Sequence, residues 1–183
     1  VFMATGGKPY YLAGLLPILL AAGSVKVDAW LERGRSRKAV LAAALALSAL
    51  AGATISLPVL PADDSDPVVA VNGDVGETIG WPEFVATVRS ALEPLPDTAV
   101  VFTGNYGEAG ALEWYGVSAP VYSGHNGWGD WGPPPDSAGP VVVIGYTDPA
   151  TDFTGCRRVG TVPRVDGADN EEDHGPVWVC EGP

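Results

Sequence analysis

Apolar positions dominate the first sixty residues of the chain, in two runs separated by a short polar turn. Residues 39–60 contain no charged side chain. At about 1.5 Å per residue in a helix, this run is long enough to span a hydrocarbon core of roughly 30 Å. Residues 10–27 form a shorter run that Pro17 interrupts, and proline is tolerated within membrane helices. The pattern predicts two membrane helices, at about 10–27 and 39–60.

Each run has a second interpretation. Lys8, an apolar run and then small residues at 21–24 are also typical of a cleaved signal peptide. Tyr10 and Tyr11 at the boundary of this run instead fit the aromatic belt of a membrane helix. The second run has the alternative of a buried core helix, although the rest of the chain offers little apolar surface to cover it on all sides. We expect both runs to be membrane helices.

Beyond residue 60 the pattern changes to short apolar runs separated by glycine and proline. Residues 61–80 are expected to form a linker with a short β-branched strand at 68–71. Residues 81–92 keep apolar side chains at helical spacing, with Pro82 in the first turn and prolines just after the end. A second, shorter helix is predicted to end near 115. The other predicted strands are 99–102, 120–122, 141–144, and an antiparallel pair at 158–162 and 177–179.

This order of elements predicts two transmembrane α-helices followed by a small α/β domain over residues 81–183. The domain is expected to be a three-layer sandwich with a mostly parallel sheet and antiparallel closing strands. Charge divides the chain at the same place, because residues 1–60 carry six basic and two acidic side chains, whereas the rest carries four basic and twenty acidic ones.

The basic residues between the two apolar runs predict the topology. Arg33, Arg35, Arg37 and Lys38 lie in the loop 28–38, and the positive-inside rule places such a loop in the cytoplasm. Residues 61–183 are then extracytoplasmic, and the protein is a multi-pass protein of the cell membrane. The strong negative charge of this part argues against nucleic acid as a partner, because it would repel a phosphate backbone.

The two cysteines, Cys156 and Cys180, both lie in the acidic part. An exported location favours a disulfide between them. The alternatives are two buried thiols or a metal pair. A zinc site is not favoured, because His125 and His174 are the two histidines of the chain and neither has ligand spacing to the cysteines.

A first candidate loop, T-G-N-Y-G-E-A-G at 103–110, follows a predicted strand and opens a helix. Open α/β sheets place ligands at such positions, where free N–H groups of the helix point outward. Asn105, Tyr106 and Glu108 are therefore ligand-binding candidates. Glu108 also has a simpler interpretation, in which its carboxylate only caps the helix.

A second candidate loop, Y-S-G-H-N-G-W-G-D-W-G-P-P-P at 122–135, combines aromatic and polar side chains. Aromatic faces stack on the C–H groups of sugars, while amides and carboxylates hydrogen-bond hydroxyls. This makes His125, Asn126, Trp128 and Trp131 glycan-binding candidates. The alternative is that the tryptophans fold inward over the helices. Glu108 and His125 are candidates for a catalytic acid–base pair, provided that the two loops meet.

Several strings resemble the bacterial glycosyltransferases of family 39, the protein-mannosyltransferase-like and aminoarabinose-transferase-like enzymes of the GT-C class. G-K-P-Y-Y-L-A-G-L-L-P-I-L-L-A-A-G at 7–23 resembles a late membrane helix of these enzymes. G-W-P-E-F-V, T-G-N-Y-G-E-A-G-A-L and S-G-H-N-G-W-G-D-W-G-P-P are similar to the exported carboxyl-terminal domain of actinobacterial members. The chain, which begins at Val1 rather than Met, is thus expected to be the carboxyl-terminal fragment of such an enzyme.

The resemblance implies sugar transfer from a polyprenyl-phosphate donor to a protein or cell-wall glycan acceptor on the outer face of the membrane. Lys8, with Tyr10 and Tyr11, would contact the lipid phosphate. The family's catalytic acid lies in an early exterior loop that this chain does not contain, so the fragment alone is expected to be inactive. A divalent metal, if the reaction uses one, would belong to that earlier part. No other cofactor is expected.

Two other functions fit the same residues. One is a membrane-anchored module that binds cell-wall carbohydrate without catalysis. The other is a membrane-tethered hydrolase that uses Glu108 and His125. An upstream reading frame with many apolar helices and an acidic first exterior loop would distinguish the glycosyltransferase from both.

Overall fold

The computed structural model describes residues 9–57, 59–165 and 170–183. The chain divides into two compact units, Val1–Gly52 and Ala53–Pro183, which are described separately below. The α-helices are α1 (Leu16–Leu31), α2 (Arg35–Ser56), α3 (Asp66–Val69), α4 (Trp81–Leu92) and α5 (Tyr106–Trp114). The strands are β1 (Val100–Thr103), β2 (Val121–Ser123), β3 (Val141–Ile144), β4 (Arg157–Thr161) and β5 (Pro176–Cys180).

Two helical stretches near the start of the chain are long and apolar enough to cross a membrane, Leu12–Leu31 and Arg35–Ser56. None of either stretch is buried inside the protein. Both expected helices are therefore present, with bounds that differ from the predicted 10–27 and 39–60. The basic residues at 35–38, predicted to lie in the loop, instead form the first turn of α2.

The turn between α1 and α2 is held by an aromatic contact. The guanidinium carbon of Arg37 lies 5.4 Å from the centroid of the Trp30 ring, and its Nη1 donates a hydrogen bond of 3.2 Å to the Trp30 carbonyl oxygen. The other basic side chains of this turn, Arg33, Arg35 and Lys38, are exposed. The turn thus presents a concentrated positive charge.

Residues 61–80 of the second unit are helical rather than extended, so the predicted strand at 68–71 is wrong. The N–H groups of Val68 and Val69 both donate to the Ser65 carbonyl oxygen at 2.9 Å, and Pro67 occupies the first turn of α3. A β-branched run prefers an extended conformation where it packs on a pleated, half-buried surface. Here Val68 is buried as part of a helical turn instead.

The five strands form one sheet in the order β2-β1-β3-β5-β4. The pairings of β1 with β2 and with β3 are parallel, and those of β5 with β3 and with β4 are antiparallel. The predicted closing pair of antiparallel strands is confirmed as β4 and β5. The sheet is mixed rather than mostly parallel, because half of its pairings are antiparallel.

One face of the sheet packs against α4 and α5. Its buried cluster combines helix residues with alternate strand residues, Phe84, Val85, Val88, Val101, Leu112, Val142, Ile144, Val162, Val177 and Val179. The other face is covered by side chains of the strands themselves and of the segment 138–156, including Phe153 and Tyr146. Among the described residues this second face is covered by no α-helix, so the predicted three-layer sandwich reduces to two layers of regular structure.

Cys156 and Cys180 form the predicted disulfide, with sulfur atoms 2.07 Å apart. Cys180 ends β5 and is 1% exposed, and Cys156 directly precedes β4. The bridge therefore joins the two ends of the antiparallel pair across 24 residues.

Replacing both cysteines by alanine (C156A/C180A) is expected to lower the free energy of unfolding by about 3 kcal/mol, because a closed loop of this length restricts the unfolded chain. Urea unfolding of the chain in detergent micelles, followed by tryptophan fluorescence, measures this difference. Reductant should destabilise the parent chain under unfolding conditions and leave the double variant unchanged. Equal midpoints for both proteins would contradict the bridge.

Candidate functional site

The carboxyl ends of β1, β2 and β3 lie at one edge of the sheet, because these three strands are parallel. The chain leaves β1 through α5 to reach β2 on one side, whereas β3 lies on the other side of β1. Open α/β sheets bind ligands in the crevice outside such a switch in strand order. Both loops singled out in the sequence, 103–110 and 122–135, follow strands that end here.

Glu108 and Asn105 form a reciprocal cap at the start of α5. The Glu108 N–H donates to Asn105 Oδ1 at 2.9 Å, and the Asn105 N–H donates to Glu108 Oε2 at 3.0 Å. This is a capping box, with asparagine at the cap and glutamate three residues later. The capping interpretation of Glu108 is confirmed. Its side chain is only 3% exposed, so the carboxyl group lies inside the protein rather than at the surface.

Two glycines make room for this carboxyl group between the ends of β1 and β3. A Cβ atom on Gly145 would lie 2.5 Å from Glu108 Oε2 and 2.6 Å from Oε1, so no larger residue fits there. A Cβ on Gly104 would lie 2.5 Å from the Gly145 carbonyl oxygen. The Gly104 N–H donates to the Ile144 carbonyl oxygen at 2.9 Å and fixes this close approach.

Burial raises the pKa of Glu108 to about 7 from its ordinary value of 4.5. The N–H of Asn105 opposes this shift by hydrogen-bonding the carboxylate, and the negative charge of Glu172 adds to it. Burial also raises the pKa of Glu172, as does the charge of Glu77. Asn105 touches both carboxyl groups, since its Nδ2 lies 3.5 Å from Glu172 Oε1.

A cavity of about 130 Å³ lies beside Glu108 and is also lined by Tyr146, Glu171 and Glu172. Sequence reasoning did not identify these three residues as part of the site. Tyr146 follows the end of β3 in the chain, and the antiparallel pairing of β3 with β5 brings Glu171 and Glu172, which precede β5, next to that same end. The E-E-D run ahead of the last predicted strand was the signal available in the sequence.

No group of three or more His, Cys, Asp or Glu side chains in the described parts of the chain is arranged to hold a metal ion.

Tyr106 and His125 bring the two candidate loops together. Their ring centroids are 5.1 Å apart, and the His125 N–H donates to Ser123 Oγ at 3.3 Å. Glu108 and His125, the predicted acid–base pair, face different strands at this edge of the sheet. The Glu108 carboxyl group faces Gly145 at the end of β3, whereas the His125 ring lies against Tyr106 beside β2.

The two tryptophans of the second loop contact each other. A 3₁₀ helix, Asn126–Trp131, holds their ring centroids 4.8 Å apart at an interplanar angle of 64°. Trp131 is 73% exposed and Trp128 is half-buried. Asn126, at the start of this helix, adopts a positive φ of 52°, a conformation that asparagine tolerates better than most residues. We call Tyr106, His125, Trp128 and Trp131 the aromatic surface.

The residues expected to contact a lipid phosphate lie at the other end of the chain. Lys8 is outside the described residues. Tyr10 and Tyr11 belong to a 3₁₀ helix, Pro9–Leu15, that leads into α1.

In comparisons with known proteins, the chain matches no protein-family model, no curated protein and no solved structure.

Replacing Glu108 by glutamine (E108Q) is expected to change how stability depends on pH. The folded-state pKa of about 7 lies above the ordinary value of 4.5. Between these values the unfolded chain releases this proton first, so the stability associated with Glu108 is complete below about pH 4.5 and is lost as the pH rises towards 7. The difference amounts to roughly 3–4 kcal/mol at most, since each pKa unit corresponds to about 1.4 kcal/mol.

Unfolding midpoints measured from pH 4.5 to 8 compare the two proteins. The parent chain should lose stability relative to E108Q across this range. Glu113→Gln, an exposed position of the same helix, serves as the control and should follow the parent. Parallel curves for the parent and E108Q would contradict the raised pKa.

Proposed function

We propose that this chain is the carboxyl-terminal part of a membrane glycosyltransferase, and that its second unit binds glycan through the aromatic surface. The complete enzyme transfers a sugar from a polyprenyl-phosphate donor to a protein or cell-wall glycan outside the cytoplasm. This chain supplies acceptor or glycan binding, and the catalytic acid belongs to the earlier part of the enzyme. The observation that carries the proposal is the pair of contacting tryptophans, one of them largely exposed, beside the Tyr106–His125 contact.

The aromatic surface has the chemistry that sugar recognition requires. The exposed ring of Trp131 offers an apolar face to sugar C–H groups, and Trp128 supports that ring from the side. Asn126 and Asp130, exposed in the same short helix, supply an amide and a carboxylate for hydroxyl groups. The 3₁₀ helix that carries these side chains follows β2 at the carboxyl edge of the parallel strands.

The proposed topology follows from charge. The basic turn between α1 and α2 remains in the cytoplasm, both helices cross the membrane, and the second unit lies outside. A disulfide in that unit fits an oxidising compartment. Lys8, Tyr10 and Tyr11 would then lie at the outer end of the first helix, where an ammonium group can pair with the phosphate of the lipid donor.

A second candidate function is hydrolysis, and the raised pKa of Glu108 favours it. A buried carboxyl group with a pKa of about 7 suits a general acid or base at neutral pH. Its partner would be Glu172, which shares Asn105 with it, rather than His125. Glu108 already has a role as the cap of α5, however, and the glycan-binding proposal requires no further role from it. A non-catalytic cell-wall-binding module would use the same aromatic surface.

Single cysteines at exposed serines test the topology. Ser36→Cys lies in the first turn of α2, and Ser118→Cys lies between α5 and β2. In intact cells that express the full protein, a membrane-impermeant maleimide should label Ser118→Cys and leave Ser36→Cys unlabelled until the cells are lysed. The native cysteines do not react, because they form a disulfide. Labelling of Ser36→Cys before lysis, with Ser118→Cys protected, would show that the chain has the opposite orientation in the membrane.

Trp131→Ala is expected to weaken glycan binding by about tenfold, since loss of one stacked aromatic ring costs about 1.4 kcal/mol. Its melting temperature should remain within a few degrees of the parent, because the side chain is 73% exposed. Affinity electrophoresis against a panel of immobilised polysaccharides measures binding. Trp114→Ala is the matched control, as this tryptophan is 85% exposed at the opposite end of α5 from Tyr106. A large stability loss for Trp131→Ala, or equal weakening by both variants, would contradict the proposal.

A further inference from the structure

The half of the second unit that carries the aromatic surface contains no lysine or arginine. Between Arg89 and Arg157 the sequence contains no lysine or arginine and eight aspartate and glutamate residues. These residues include β1, α5, β2, the 3₁₀ helix of the tryptophans and β3. Every described element that forms or supports the aromatic surface is therefore free of fixed positive charge.

The four arginines of the second unit are all held elsewhere. Arg157 and Arg158 lie on β4, four strand spacings from β2 in the sheet order. At about 4.8 Å per spacing, the separation is roughly 19 Å, more than twice the Debye length of about 8 Å at physiological salt. Charges on β4 are thus largely screened from the strand that leads to the tryptophans.

The other two arginines have partners of their own. Arg89 donates from Nη2 to the Tyr115 carbonyl oxygen, just beyond the carboxyl end of α5. That end is about 12 Å from Tyr106 along the helix. Arg164 forms an ion pair with Asp173, with 3.8 Å between Nε and Oδ2. Both guanidinium groups are thus engaged by partners that are not part of the aromatic surface.

Acidic groups, by contrast, lie at or next to the aromatic surface. Asp130 is exposed between Trp128 and Trp131 in the chain, and Asp136 is exposed five residues beyond Trp131. A negatively charged sugar substituent bound here would meet like charge and find no cation with which to pair.

We propose that the aromatic surface selects uncharged glycans and excludes acidic ones, such as chains of uronic acids or of phosphorylated sugars. The inference rests on the proposed glycan-binding function and specifies its substrate class. Stacking on Trp131 is available to either kind of sugar, so the discrimination arises from charge. It is therefore expected to weaken as salt screens the carboxylates.

The probes are neutral hexasaccharides of glucose, mannose and galactose, each paired with the same hexasaccharide oxidised at C6 to the carboxylate. Binding to the full chain in detergent micelles is measured by calorimetry at pH 8, above the ordinary titration range of imidazole. At 20 mM salt, the oxidised member of a pair is expected to bind at least tenfold more weakly. At 500 mM salt the ratio should approach one.

Asp130→Asn keeps hydrogen-bonding atoms but removes the charge, and should reduce the ratio of neutral to oxidised affinity at low salt by about fivefold. Glu93→Gln, which follows α4 at an exposed position, makes the same change in net charge and should leave the ratio unaltered. Equal affinity for both members of a pair at low salt would overturn the inference. Absence of binding to every neutral probe would instead overturn the glycan-binding function.

Discussion

The dual pairing of β3 determines where the polar side chains of the second unit meet. All four residues of this strand, Val141–Ile144, are buried, because it lies between β1 and β5 and both of its faces are covered. Its parallel neighbour β1 brings the start of α5 to the end of β3. Its antiparallel neighbour β5 brings the residues that precede it to the same end. Glu108, Tyr146 and Glu172 therefore line one cavity, although they are far apart in sequence.

The Glu108 carboxyl group is subject to two opposing effects, because it caps α5 as a hydrogen-bond acceptor and is also buried. Helix α5 has only nine residues, so capping its first turn matters more than in a long helix. A cap typically contributes about 1 kcal/mol. Burial of the same carboxyl group disfavours its charged form and raises its pKa to about 7. The structural role and the perturbed pKa of Glu108 thus have one origin, the burial of the capping carboxyl group.

Local signals account for what the sequence predicted well, and long-range pairing accounts for what it missed. Helix α4 has the predicted bounds because Gly80 and Pro82 mark its start and prolines follow its end. The buried run of β3 and the disulfide were also predictable from local pattern and cysteine count. The strand at 68–71 failed because β-branched residues become extended only where a pleated surface receives them. Glu172 was missed because its position depends on the β3–β5 register, which no local pattern encodes.

Exposure alone does not identify a binding surface on this protein. Trp114 is more exposed than Trp131, at 85% against 73%, and single exposed apolar side chains are ordinary features of protein surfaces. Trp131 differs because Trp128 contacts it within the 3₁₀ helix Asn126–Trp131. That helix directly follows His125, whose ring contacts Tyr106. An aromatic ring that a neighbouring ring already fixes loses little conformational freedom when a ligand stacks on it. An isolated ring loses more, and this loss reduces the affinity for the ligand. The same edge supplies acceptors from Asn126 and Asp130 without a competing cation, which suits hydroxyl-rich, uncharged ligands better than anionic ones.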